Sequence, residues 1–185
     1  MALTPSTMLP LGTRAPAFTL PDTVSGKTLS LDALKGAQGT VVMFICNHCP
    51  YVKHVNSGLV QAAKDYLPKG IAFVAISSND VVSHPEDGPA KMNTAAWTLG
   101  YPFPYLYDES QLVAKAYQAA CTPDLFLFDA NLACVYRGQL DDSRPGSNVP
   151  VTGKDLRAAM DALLAGKPVG AEQKPSVGCN IKWKR

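Results

Sequence analysis

The strongest constraint on the fold is a junction in the first third of the chain. Residues Thr40–Cys46 form an unbroken apolar run rich in β-branched side chains, which is typical of a strand buried on both faces of a sheet. Residues Pro50–Leu67 follow with apolar side chains at helical spacing, and Pro50 suits the first turn of a helix. The sequence therefore predicts a buried strand that passes almost directly into a helix.

The elements predicted after this junction alternate in type. They are strands over 71–77, 105–107, 125–128 and 133–137, and helices over 89–99, 110–120 and from Thr152 onward. Thr152, with Asp155 three residues later, resembles a capping box. This order predicts the α/β class, with one central mixed sheet flanked by helices on both faces.

Length and composition indicate one folded unit. Of the 185 residues, 46% are hydrophobic and 17% are charged, which is too apolar for a disordered chain. We expect a single domain over residues 1–185. Within it, residues 166–185 are expected to form an irregular C-terminal tail, because they lack helical or strand periodicity.

Charge and hydropathy argue against two kinds of partner. The net charge of +2 gives no reason to expect nucleic acid or a membrane surface. The longest apolar run, Val41–Cys46, is far shorter than the ~20 residues that a membrane span needs. The first residues lack the early positive charge and apolar stretch of a secretory signal, so we expect a cytoplasmic protein with reduced thiols.

The motif Cys46-Asn47-His48-Cys49 lies at the predicted strand-to-helix junction. A C-x-x-C pair in a reducing compartment is more often catalytic or metal-binding than structural. The first N–H groups of a helix carry about half a positive charge and favour an anion. We therefore predict a thiolate at Cys46, favoured further by His48 if it is protonated, with Cys49 close enough to form a disulfide.

The other candidate residues carry weaker signals. The two sulphurs with His48 or His54 could begin a metal site, although no second pair of ligands completes a closed zinc site. Cys134 is expected to be core packing. Cys121 fits packing and redox function equally well, and Cys179 in the tail is a candidate resolving or intermolecular thiol. These last two are predicted accessory thiols.

The order of strand, C-x-x-C pair, helix and Thr122-Pro123 before a strand hairpin resembles the thioredoxin fold. Within that fold, the chain resembles the peroxiredoxin-like redoxins of the alkyl hydroperoxide reductase/thiol-specific antioxidant superfamily, in particular a C-x-x-C-containing branch. The matching segments span most of the chain and are Gly12–Phe18, Asn47–Val52, Ile76–Asp80, Cys121–Asp124 and Gly178–Lys184.

The resemblance implies a cis peptide bond between Thr122 and Pro123, packed beside the cysteines, with backbone exposed there to dock a substrate strand. We expect a thiol–disulfide oxidoreductase in which Cys46 attacks a substrate disulfide, Cys49 resolves the mixed disulfide and His48 tunes the potential. The substrates would be disulfide-containing proteins, small thiols or peroxides. No cofactor is expected, because electrons would come from a thioredoxin-type or small-thiol donor.

Two alternatives stay open. The first is a peroxidase with Cys49 as the peroxidatic cysteine and an antioxidant role. Peroxiredoxins carry P-x-x-x-T-x-x-C and a later arginine, whereas here Val42 and Cys46 replace the proline and threonine, and no arginine lies near Thr122-Pro123-Asp124, so fast peroxidase activity is not expected. The second is a copper- or zinc-binding metallochaperone of the same fold, although such proteins use a C-x-x-x-C pair and a distant histidine.

Overall fold

The computed structural model describes residues 3–185. Its strands are β1 (Leu3–Pro5), β2 (Thr19–Pro21), β3 (Thr28–Ser30), β4 (Gly39–Phe44), β5 (Ile71–Ser77), β6 (Tyr105–Tyr107), β7 (Cys121–Thr122), β8 (Asp124–Asp129), β9 (Cys134–Gly138) and β10 (Val177–Asn180). Its α-helices are α1 (Leu31–Leu34), α2 (Pro50–Tyr66), α3 (Pro89–Leu99), α4 (Leu112–Ala116) and α5 (Lys154–Leu164). Across residues 3–185, none of these helices has the length and apolarity needed to cross a bilayer.

A five-stranded mixed sheet with strand order β6-β5-β4-β8-β9 forms the centre of the fold. β4 lies in the middle because it pairs in parallel with β5 and antiparallel with β8. All six of its residues are buried, as the apolar run predicts. The carboxyl end of β4 therefore lies in the middle of this edge of the sheet, shortly before α2 begins.

Alternate side chains of β4 enter two hydrophobic cores on opposite faces of the sheet. Val41 and Met43 join the site-side core, which is shared with α2, α3 and α5. Val42 and Phe44 join the opposite core, which is shared with α1 and α4. Helices cover both faces, so the predicted α/β class with a mixed sheet is confirmed.

Some predicted ends are shifted. β4 ends at Phe44, two residues earlier than predicted, so Cys46 lies in the turn of residues 45–49 and not in the strand. α4 covers only five residues of the predicted 110–120, because Gln111 and Gln118 on either side of it adopt left-handed backbone angles. Helix α3, by contrast, has the predicted bounds and ends at Gly100 in a left-handed conformation.

The predicted capping box at Thr152 is wrong. Helix α5 begins one residue later than such a cap requires, with Gly153 as its N-cap and no side-chain capping bond. The carboxylate of Asp155 instead accepts a hydrogen bond from the Gln139 side chain. A tertiary contact has thus replaced the local one.

The prediction of an irregular tail over residues 166–185 is wrong at β10. This strand pairs antiparallel with β1 on one side and with β7 on the other, opposing Cys179 to Thr122. The approach to β7 is so close that a Cβ atom on Gly178 would collide with the carbonyl of Thr122. Because both partner strands are distant in sequence, the short segment shows no periodicity of its own.

Candidate functional site

The turn of residues 45–49 places Cys46 and Cys49 at the carboxyl edge of the central sheet. Cys49 is the N-cap residue of α2, and Pro50 occupies the first turn, as predicted. The backbone N–H of Val52 donates to the Cys49 sulphur. The N-terminus of α2 therefore favours a negative charge on Cys49, the second cysteine of the pair.

Three sulphurs meet at this junction. The Sγ atoms of Cys49 and Cys179 lie 2.9 Å apart. The Sγ atom of Cys46 is 3.4 Å from the Thr122 hydroxyl, and that of Cys49 is 3.3 Å from the Thr122 carbonyl oxygen. All three cysteines are buried and reduced. The structure thus brings the predicted pair and Thr122 together and adds Cys179 from the tail.

The surrounding donors favour the anion at Cys49. Its pKa is lowered, chiefly by the hydrogen bond with Cys46, and hydrogen bonds with Cys179 and the N–H of Val52 help to outweigh the opposing effect of burial. The pKa of Cys46 is raised, first by its hydrogen bond to Cys49, then by burial and by the negative charge of Asp87. Because these two sulphurs titrate as a pair, the thiolate expected at Cys46 stays a prediction.

A buried carboxylate, Asp87, holds the turn and was missed by the sequence analysis. It accepts hydrogen bonds from the backbone N–H groups of Asn47 (2.8 Å) and His48 (3.1 Å) and from the Asn79 amide (2.7 Å). Its Oδ2 lies 2.6 Å from His48 Nδ1, whereas Cys46 Sγ lies 3.9 Å from that nitrogen. The Nδ1 proton is therefore directed at Asp87 and not at the sulphur. The sequence carries no local signal for this contact.

Thr122 and Pro123 lie beside the cysteine pair. Their peptide bond is cis, which confirms what the resemblance implies. β7, which contains Thr122, is the edge strand of a three-stranded sheet of order β1-β10-β7. Pro123 lines a groove together with Tyr51, Val55 and Arg144. An edge strand and a groove thus adjoin the sulphurs.

The remaining two cysteines have different surroundings. The Cys121 sulphur lies 3.6 Å from the Pro123 carbonyl oxygen and 3.9 Å from that of Ser176, and burial raises its pKa. Cys134 belongs to the opposite core, where burial raises its pKa to about 11. Cys134 is core packing, as predicted, and both thiols carry their protons near neutral pH.

The ligand atoms of Cys46, His48 and Asp87 lie within 4.8 Å of one another, close enough to consider a metal ion. Both Asp87 oxygens already accept hydrogen bonds from protein donors, one of which is His48 itself. Asp87 is therefore already satisfied by protein donors and would have to give up hydrogen bonds to act as a metal ligand. The other histidine considered as a ligand, His54, lies 2.7 Å from the Ser143 hydroxyl.

Comparison with protein families and curated proteins gives one match. The model of the AhpC/TSA family matches residues 11–137, a stretch that contains the cysteine pair and the Thr122–Pro123 segment. A comparison with curated proteins finds no match.

Solved structures resemble the chain over most or all of its length. An uncharacterized conserved protein from Geobacillus kaustophilus is 60% identical with a TM-score of 0.98, covering 100% of this chain and 97% of that one. A hypothetical protein from Sinorhizobium meliloti 1021 is 50% identical with a TM-score of 0.95, covering 98% of each. A putative thiol:disulfide interchange protein DsbE from Chlorobium tepidum, 20% identical, shares the fold with a TM-score of 0.67, covering 84% and 99%. The fold is thioredoxin-like, and the chain belongs to the AhpC/TSA family of redoxins.

Proposed function

We propose that this protein is a thiol–disulfide oxidoreductase that cycles Cys46 and Cys49 between a dithiol and a disulfide. The observation that carries the proposal is the placement of the pair: Cys49 is the N-cap residue of α2, whose first N–H groups are donors that favour a sulphur anion, and the Cys46 Sγ atom lies 3.4 Å from the Thr122 hydroxyl. Burial without these donors would keep both thiols protonated and unreactive, as it does for Cys134.

In the first step the Cys46 sulphur attacks one sulphur of a substrate disulfide. The Cys46 proton passes along the hydrogen bond to Cys49, whose protonated form has an acceptor in the Thr122 carbonyl at 3.3 Å. The substrate S–S bond breaks, so that one half leaves as a thiolate and the other is held at Cys46 as a mixed disulfide.

In the second step Cys49 resolves the mixed disulfide. The departed thiolate takes up the Cys49 proton, and the Cys49 anion attacks the Cys46 sulphur. A Cys46–Cys49 bond forms, and the second half of the substrate leaves as a thiolate that is protonated by water. A thioredoxin-type protein or a small thiol would return two electrons to the pair, so the cycle needs no cofactor.

Substrate binding is proposed at Thr122 and Pro123, where an extended segment could lie along edge strand β7 and the groove that Pro123 lines with Tyr51. His48 would tune the pair through Asp87, to which its ring is bonded. Disulfide-containing proteins and small disulfides are the proposed substrates, and the cytoplasm is the proposed compartment because its thiol donors sustain reduction.

The test is insulin disulfide reduction by the full chain with a thiol donor. We expect Cys46→Ser to abolish turnover and Cys49→Ser to retain a mixed disulfide at Cys46, detectable by mass. Cys134→Ser replaces an equally buried thiol in the opposite core and should leave turnover unchanged. Unchanged turnover in both site variants would contradict the proposal.

A peroxidase is the second candidate, and the observation that favours it is the 2.9 Å contact that holds the Cys179 thiol beside Cys49, whose pKa is lowered. A peroxide would oxidise that sulphur to a sulfenic acid, releasing an alcohol or water, and a neighbouring thiol would then form a disulfide with loss of water. Against it, peroxiredoxins also use a later arginine. Arg137, the arginine on β9, instead donates to the Leu9 carbonyl and the Gln173 side chain. Peroxide consumption that survives Cys46→Ser would favour this candidate.

A further inference from the structure

The sulphur of Cys179 is held in contact with Cys49 by the strand that carries it. The two Sγ atoms are 2.9 Å apart, and the sulphurs need approach by only ~0.9 Å to reach the length of a disulfide bond. Cys49 therefore contacts a third thiol, that of Cys179, which the C-x-x-C motif does not include.

The position of Cys179 is fixed on both sides along the chain. Toward the N-terminus, Gly178 packs against the Thr122 carbonyl. Toward the C-terminus, the backbone N–H of Ile181 donates to the Ala120 carbonyl, and that of Lys182 donates to the Asn79 side chain. A thiol anchored in this way makes its contact with Cys49 as part of the fold.

The protonation states of the two sulphurs are complementary. Burial and the hydrogen bond shared with Cys49 raise the pKa of Cys179 to about 12, so Cys179 keeps its proton while it contacts Cys49. Once Cys49 is part of a disulfide it carries no charge, and the repulsion that opposes ionisation of Cys179 is relieved.

We propose that Cys179 is a third redox-active thiol, which exchanges into the Cys46–Cys49 disulfide to form a Cys49–Cys179 disulfide. This inference rests on the proposed function, which supplies the first disulfide. The Cys179 sulphur attacks the Cys49 sulphur, the Cys46–Cys49 bond breaks, and the proton of Cys179 ends on Cys46. One S–S bond forms and one breaks, so no electrons enter or leave the protein.

The exchange changes what the oxidised protein can do. The disulfide now joins Cys49 at the start of α2 to Cys179 on β10. Cys46 becomes a thiol again and can react with a second disulfide. In that state Cys49 is occupied, so a mixed disulfide formed at Cys46 persists until Cys179 is displaced. The third thiol therefore regulates whether the enzyme releases or retains its substrate.

The experiment is disulfide mapping of the full chain after equilibration in a glutathione redox buffer, acid quenching and alkylation. Cys46 and Cys49 share one tryptic peptide and Cys179 lies on another, so the two disulfides differ in mass. In the wild type we expect both the internal Cys46–Cys49 product and the cross-linked Cys49–Cys179 peptides. Cys179→Ser should lose the cross-link. It should also lose the alkylation of Cys46 in the oxidised protein, because Cys46 then stays in its disulfide with Cys49. Cys121→Ser should keep both the cross-link and the alkylation.

The wild-type map decides the question even if a variant fails to fold. A Cys46–Cys49 disulfide with insulin turnover, but with no cross-link to Cys179, would overturn this inference and leave the proposed function intact. A wild type that forms neither disulfide and does not turn over insulin would overturn both.

Discussion

Cys49 in the site-side core and Cys134 in the opposite core are buried to the same degree, with 0% and 1% of their surfaces exposed. Their chemistry is nevertheless opposite, because the pKa of Cys49 is lowered to about 4 while that of Cys134 is raised to about 11. Hydrogen bonds with Cys46, Cys179 and the N–H of Val52 lower the pKa of Cys49, whereas burial dominates at Cys134. Local donors, and not depth, decide the direction in which the pKa of a buried sulphur shifts.

Removing each sulphur in turn is the most direct test of whether local donors set the pKa of a buried thiol. Titration of thiolate ultraviolet absorbance should show one anion in the wild type at pH values well below 7, because the Cys49 pKa is about 4. Cys49→Ser should remove this signal completely. It should also lower reductase turnover by about 100-fold or more. Cys134→Ser makes the same chemical change in the opposite core and should preserve both. A low-pH thiolate that survives Cys49→Ser would contradict the assignment.

Asp87→Asn tests whether the turn at residues 45–49 depends on its buried acceptor. Asparagine cannot accept from all the donors that meet the carboxylate, so we expect a loss of about 2 kcal/mol in the free energy of unfolding. The pKa of Cys46 should fall, because a nearby negative charge is removed. Urea unfolding and the pH dependence of Cys46 alkylation measure the two effects. Asp32→Asn, at an exposed carboxylate on α1, is the control, and equal effects of the two would refute the role of Asp87.

Gly178→Ala tests the contribution of Cys179 without changing any sulphur. The added methyl group collides with the Thr122 carbonyl, so β10 must move from β7, at a cost of roughly 1–3 kcal/mol of stability. Moving Cys179 weakens its donation and should raise the Cys49 pKa in the same thiolate titration. Gly170→Ala, with no atom within 4 Å of the added methyl group, should alter neither quantity. An unchanged Cys49 pKa in the Gly178 variant would show that Cys179 is a bystander.

The two regions also differ in how far sequence predicted them. The strand-to-helix junction is local, so the apolar run of β4 and the Pro50 turn were sufficient to place the cysteine pair. Cys134 sat in a recognisable strand and was placed in a core. Asp87 and Cys179 reach the site through contacts 39 and 130 residues apart in the chain, and nothing in their own neighbourhoods signals those contacts.

The same gap limits what the sequence can predict about which of the two sulphurs carries a negative charge. A helix N-terminus adjoins both cysteines in sequence, and local reasoning cannot separate them. The structure separates them by adding a non-local donor, Cys179, next to Cys49 and a non-local negative charge, Asp87, near Cys46. The spacing of the motif thus predicts a reactive pair, while tertiary neighbours decide how the charge is divided.

Asp124 extends the comparison from sulphur to oxygen. It is fully buried directly after Pro123, and one of its carboxylate oxygens has no hydrogen-bond partner among the described residues. Burial outweighs its few donors and raises its pKa to about 7. Like Cys134 and unlike Cys49, it is a group for which burial prevails.

The sign of its pH dependence follows from proton counting. Between the unfolded pKa near 3.8 and the folded pKa of about 7, the native state holds a proton on Asp124 that the unfolded state has lost. Asp124 therefore contributes stability that is fully present below pH 3.8 and is lost as the pH rises through about 7. Cys49 acts in the opposite direction, since its lowered pKa makes stability rise with pH above about 4. Asp124→Asn should abolish the first contribution, so that urea unfolding shows stability relative to wild type increasing from pH 4 to pH 7. A stability difference that stays constant over that interval would mean that Asp124 ionises as an ordinary carboxylate, because its hydrogen-bond donors offset the effect of burial.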